Sequence, residues 1–189
     1  MNKIGIFGAF LALLAIIGLV WLNYSGSGKT QVSATATDFK NATYMFDGKP
    51  VTFVNGVSEM AAAPGSAAME TIKYFGNDAE GDINGDGIPD VVFLVTQTGS
   101  GSGTFYYALG ATRDAENRYS GTDAVLIGDR IAPQSTEIRD GKVIINYADR
   151  KAGEPLTARP SEGKSIWLKL DTKTNQFGIV VQNFEGESR

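Results

Sequence analysis

The 189-residue chain contains no cysteine and no histidine. Without cysteine there is no disulfide, no thiolate nucleophile and no iron–sulfur ligation. Without histidine there is no Ser-His-Asp triad and no HExxH zinc site, and losing both removes zinc fingers as well. Positive charge is also scarce, with 17 Lys+Arg against 21 Asp+Glu and a formal net charge of −4. A nucleic-acid partner needs a basic face to neutralise phosphates, so no nucleic acid is expected. Charge itself is missing from one long stretch near the start, and that stretch carries the first positive signal.

Residues 4–22 read IGIFGAFLALLAIIGLVWL, 19 residues of which three are glycine and the other 16 apolar. As a helix this run spans roughly 28 Å, close to the ~30 Å hydrocarbon core of a bilayer. Trp21 and Tyr24 close it, and aromatic rings favour the headgroup level. The run is longer than a signal-peptide core, and the candidate cleavage site Val32-Ser33-Ala34 lies too far downstream. The sequence therefore predicts a signal anchor over residues 1–24. Lys3 stays inside by the positive-inside rule, which puts the remainder outside the cytoplasm of a single-pass membrane protein. Residues 1–24 hold one basic residue and no acid, so the rest of the chain is net −5.

Residues 25–40 begin small and polar (SGSGKTQVSATAT) and are predicted to be a flexible linker. Gly28-Lys29-Thr30 imitates the end of a phosphate-binding loop, but Asn23 stands where that pattern needs its first glycine. From residue 41 to 189 the texture is β. Short apolar runs flank the turn sequences DGKP at 47–50 and DGK at 140–142, and a third pair encloses residues 171–176. Pro50 limits its strand to an edge or a beginning. Residues 61–68 read as loop, and residues 69–75 as a strand or a short helical turn. The predicted architecture is mainly β, an antiparallel sheet or sandwich-like domain behind one N-terminal transmembrane helix.

One stretch carries chemistry: Asp82-Ile83-Asn84-Gly85-Asp86-Gly87-Ile88-Pro89-Asp90. Oxygen side chains at positions 1, 3 and 5, glycine at 6 and a carboxylate at 9 follow a calcium-loop pattern. A hard cation takes six to eight oxygens at about 2.3–2.6 Å, so the chain must curl and present alternate side chains. The Ile88 carbonyl falls at position 7. Three carboxylates in nine residues repel one another unless an ion neutralises them. With no histidine or thiol available, hard oxygens favour calcium over zinc or copper. Position 12 is Phe93 where an EF-hand has glutamate, and the apolar run after Asp90 replaces a flanking helix. The stretch resembles the loop-then-strand calcium sites of integrin-type FG-GAP repeats. That resemblance implies Asp82, Asn84, Asp86, the Ile88 carbonyl and Asp90 as ligands of a structural calcium, with Asp78 and Glu80 near enough in sequence to add an oxygen. The competing reading is an Asx-rich turn without an ion.

Other polar stretches are less specific. QTGSGSGTFYY at 97–107 is predicted to be a hairpin loop, with Phe105 or Tyr107 in the core, since Thr104 breaks the GxGxxG pattern. Asp129, Arg130, Asp149, Arg150 and Glu154 sit in proline-bordered segments. There they either line a cleft for carboxylate chemistry on a glycan or pair with each other to tie down loops. Lys142, Lys151 and Lys164 allow Ser-Lys chemistry formally, but their spacing does not support it.

The blocks at 74–107, 128–150 and 153–161, in order and joined by TYMFDGKPVTFVNGVSE at 43–59, resemble a family of bacterial cell-envelope proteins. Its members are secreted or anchored by one N-terminal segment, and the resemblance carries no activity. It implies a bacterial cell-envelope protein; together with the predicted anchor, the sequence leads to a domain on the outer side of the bacterial cytoplasmic membrane, expected to bind or scaffold and leaning away from an enzyme. The alternatives are a carboxylate-based envelope hydrolase, or an inhibitor or accessory subunit of an envelope enzyme or transporter. The partners expected are the membrane, through residues 4–22, and an envelope protein. The sequence sets neither the oligomeric state nor the identity of that protein. Related sequences place cysteines near the GEPLTARPS block, and this chain has none.

Overall fold

A computed structural model describes residues 36–63, 65–99 and 101–181. The chain divides into two units, Met1–Gln31 and Val32–Arg189, and every described residue belongs to the second. The apolar run at 4–22 and Gly28-Lys29-Thr30 lie outside the described residues. Among the described residues no helix is long and apolar enough to cross a membrane.

Among the described residues twelve strands follow in order: β1 (Thr43–Phe46), β2 (Lys49–Thr52), β3 (Val57–Ala61), β4 (Met69–Gly81), β5 (Asp90–Thr98) and β6 (Phe105–Arg113), then β7 (Tyr119–Gly121), β8 (Val125–Asp129), β9 (Ala132–Arg139), β10 (Lys142–Asp149), β11 (Glu162–Asp171) and β12 (Gln176–Ile179). All ladders between them are antiparallel. The fold is mainly β, as the sequence predicts. The largest sheet runs β3-β4-β5-β6-β7 with β8 also on β6; β12-β11-β10-β9 form a second sheet and β1-β2 a third.

Two-residue turns join β1 to β2 and β9 to β10, and a third, just ahead of β3, closes the Val54–Val57 bridge. Asp47-Gly48, Asn55-Gly56 and Asp140-Gly141 all have positive φ at both positions, the backbone of a type I′ turn whose twist matches the strands it joins. Pro50 sits opposite Met45 in the two-stranded sheet, so its missing N–H interrupts no central ladder.

β5 is the pivot of the packing. Val91, Phe93 and Val95 enter one apolar core with Tyr44, Phe46, Phe53 and Leu109, while Val92 and Leu94 enter a second with Val143, Ile145, Leu168 and Leu170. The two-residue period puts alternate side chains on opposite faces, and both faces of this strand are covered. The β1–β2 hairpin contributes to the first core and the β9–β12 sheet to the second.

The structure takes the strand of the two alternatives for residues 69–75 and differs from the sequence reading elsewhere. β4 continues to Gly81. It bends on the way: its register with β5 shifts at Gly76, where Gly76 and Asn77 have φ of +108° and +61°. After the bend, Asn77 Nδ2 donates to Thr136 Oγ1 of β9 at 3.1 Å, and a side chain at Gly81 would meet Ile138 at 2.8 Å. Phe39 also proves part of the fold, although composition placed it in the linker. It stacks near Tyr74, Phe93 and Tyr119 at centroid distances of 5.0–6.2 Å.

Gly121 is where the β1 hairpin lies closest on the main sheet. A Cβ there would overlap the Thr43 carbonyl oxygen and stand 2.6 Å from the Tyr44 ring. The carbonyl cannot swing aside as a side chain would, so Gly121→Ala is expected to destabilise by about 2 kcal/mol through overpacking. Urea unfolding measures this, and an unchanged midpoint would contradict the packing described.

Candidate functional site

Residues 82–90 connect β4 to β5 as a series of side-chain-to-backbone turns. Asp82 Oδ1 and Oδ2 accept from the Gly85 and Gly87 N–H groups at 2.6 and 2.9 Å. Asn84 Oδ1 accepts from Asp86 N–H at 2.9 Å, and Asp86 Oδ1 from Ile88 N–H at 2.7 Å. The Asn84 amide also donates to Asp86 Oδ2 at 2.9 Å. Gly85 and Gly87 have φ of +84° and +82°, which lets the chain curl tightly without a Cβ penalty.

Asp90 differs from its neighbours because it is fully buried. Its Oδ2 accepts from Ile83 N–H at 3.0 Å and its Oδ1 from Arg113 N–H at 2.8 Å, closing the loop and fixing the end of β6. Burial pushes its carboxyl above the ordinary value; those two N–H bonds oppose the shift, and the charges of Asp86 and Asp82 add to it. Asp82 moves the other way, held low by the Gly87 and then the Gly85 N–H groups. No lysine or arginine pairs with Asp82, Asp86 or Asp90 among the described residues. Asp82, Asn84, Asp86 and Asp90, the four predicted side-chain ligands, thus all bond backbone N–H groups in or beside one loop, and the Ile88 carbonyl belongs to the same curl. In this arrangement the oxygens face the loop's own N–H groups, and among the described residues no three acidic side chains form a ready metal cluster. Asp78 and Glu80 are exposed on β4, where Asp78 accepts from the Tyr74 hydroxyl.

At another place on the domain the remaining polar candidates come together, tying loops down. Arg130 Nη2 pairs with Asp129 at 2.8 Å, Lys164 with Asp149 at 2.9 Å, and Glu154 accepts from Lys151 N–H at 3.0 Å. These contacts hold Asp129 and Asp149 below the usual carboxylate range, chiefly through Arg130 and Lys164 respectively. Asp129 Oδ1 also accepts from Thr104 N–H at 2.9 Å, and Arg130 N–H donates back to the Thr104 carbonyl at 2.7 Å. The glycine–serine loop is therefore hooked to the β8–β9 turn. Arg150, its side chain only 8% exposed, donates to the carbonyls of Ala158, Asp129 and Arg130 at 3.0, 3.3 and 3.0 Å.

One group of residues escaped the sequence reading. Glu70, Gln97, Tyr107 and Leu126 join Phe105 around a cavity of about 250 Å³ beside the glycine–serine loop. The available signal was the two-residue period of β6, which puts Phe105 and Tyr107 on one face.

These features define an antiparallel β domain that carries a tight acidic loop at one strand junction and an arginine-clamped loop cluster at others. No protein-family model, curated protein or solved structure matches the chain.

Proposed function

We propose that the chain is a membrane-tethered extracytoplasmic domain of the bacterial envelope, stapled by calcium at residues 82–90, whose task is binding or scaffolding. The observation that carries the calcium reading is the loop itself. Its donor set, Asp82, Asn84, Asp86, the Ile88 carbonyl and Asp90, is entirely hard oxygen, and its carboxylates have no described cationic partner. The residue types are those calcium takes, and the ion would supply a positive partner for the buried Asp90 carboxylate. Outside the cell calcium is abundant enough for a weak site, about 10⁻⁴ to 10⁻³ M, to act as a structural staple. The tether rests on the apolar run at 4–22 and its single flanking Lys3.

Thermal unfolding of the full-length chain in mild detergent tests the staple. At about 10 mM calcium the binding linkage is roughly 1.5–2.7 kcal/mol, a rise of several degrees in Tm over the chelated sample. Asp86→Ala is expected to abolish that rise. An equal rise in the variant, or none in the parent, would remove the calcium reading.

A further inference from the structure

The cavity beside the glycine–serine loop lies on the face of the main sheet that the β1–β2 hairpin covers in part. Tyr107 marks the boundary: its ring packs on Phe46 of the hairpin at 5.3 Å, and it pairs across the ladder with Leu126. Beyond it Phe105 and Leu126 remain 40% and 51% exposed, two apolar walls with no hairpin over them. Gln97 Nε2 donates to Glu70 Oε2 at 3.0 Å. That bond uses an amide donor and leaves Glu70 Oε1 and Gln97 Oε1 as acceptors. Glycine at two positions lets the backbone approach the side chains of the cavity closely. A Cβ at Gly99 would press the Glu70 side chain at 3.2 Å, and one at Gly103 would meet the Phe105 ring at 2.8 Å.

The charge of this site has one sign. Glu70, which lines the cavity, and Asp47, which does not but acts on Tyr107, have no ion-pair partner among the described residues, and no lysine or arginine lines the cavity. Both carboxylates raise the Tyr107 hydroxyl, after the larger effect of burial, so both lie within electrostatic reach of that ring. We propose that this cavity binds an organic cation, a primary ammonium or guanidinium on an apolar stem. The stem lies along Phe105 and Leu126, and the charged head meets Glu70, Gln97 and the aromatic faces. The acceptor-rich lining answers donors, and a neutral ligand leaves the Glu70 charge without a partner.

Ligand-observed NMR on the full-length chain in detergent tests the proposal, with n-pentylamine and n-butylguanidine as probes and pentan-1-ol and a methyl hexoside as neutral controls. Both cations are expected to bind at least about tenfold more tightly than either control, a single charge contact reinforced by an aromatic face. Glu70→Gln, at a half-exposed position, is expected to weaken cation binding by about tenfold, and Phe105→Ala by a similar factor. Asp86→Ala is expected to leave it unchanged, which separates this site from the calcium loop. A doubly blocked lysine amide that binds as well as n-pentylamine identifies a protein side chain as the source; one that fails identifies a free amine. Equal binding of the neutral hexoside, or full retention of cation binding in Glu70→Gln at an unaltered Tm, would overturn the proposal.

Discussion

Arg150→Ala is expected to destabilise the domain by about 4 kcal/mol and to release two loops together. The guanidinium is almost wholly buried and spans the carbonyls of Asp129 and Arg130 on one turn and of Ala158 on another segment. Hydrogen bonds from a charged donor are worth roughly 1.5–3 kcal/mol each. Water entering the vacated space restores part of that, which sets the figure below the sum of three bonds. Because the Asp129–Arg130 turn holds Thr104 through two backbone contacts, the loss extends to the glycine–serine loop. Arg150→Lys retains the charge but not the fork, and one ammonium cannot face three carbonyls in these directions; it is expected to recover less than half. Urea unfolding gives the stability, and amide hydrogen exchange at 101–104, 128–131 and 156–161 locates the effect. Unchanged protection there in Arg150→Ala would show that the clamp is not what holds these loops.

That clamp also shows what the sequence could and could not disclose. The segments at 97–107, 128–134, 146–150 and 153–160 read as separate polar loops, and nothing in their spacing says that one arginine gathers three of them. Charge pairing within them was foreseeable as a class, since Asp129 and Arg130 are adjacent, yet the choice between a catalytic cleft and loop ties depends on tertiary contacts. Local signals fared better. Asp47-Gly48 and Asp140-Gly141 announced their hairpins because two adjacent positive φ values need those residues. Asn55-Gly56, between Val54 and Val57, is an equally strong signal for the turn into β3. The second half of β4 was hidden for a physical reason. Gly76-Asn77-Asp78 looks like a turn, and the residues do take turn-like φ values, but as bulges inside a strand that bends toward β9. Phe39 was masked by its polar surroundings, and only the aromatic cluster it joins reveals its role. Of the loop at 82–90, the sequence disclosed the oxygen pattern and the glycine turns but not the unequal roles of its carboxylates.

Those unequal roles separate structure from ion binding in a second large effect. Asp90→Ala is expected to cost about 4 kcal/mol even with calcium chelated, because it orphans two backbone N–H groups. Ile83 is buried, Arg113 N–H ends a core strand, and an unsatisfied buried donor costs roughly 1–3 kcal/mol. Asp90→Asn keeps one acceptor but turns an amide donor toward the other N–H, so it is expected to lose at least about half as much. Asp86 is exposed and bonds the half-exposed Ile88 N–H, where water readily substitutes. Asp86→Ala therefore changes chelated stability by no more than about 0.5 kcal/mol. On the proposed calcium site, both Asp90→Ala and Asp86→Ala are expected to remove the calcium-dependent rise in Tm, one by dismantling the loop and the other by deleting a ligand from an intact one. Denaturant unfolding of the parent and both variants, with chelator and with calcium, resolves the two roles. If Asp90→Ala proves as mild as Asp86→Ala in chelator, the buried carboxylate is not the closure of the loop. If Asp86→Ala keeps the calcium response while Asp90→Ala loses it, the ion does not sit within the curl of residues 82–90.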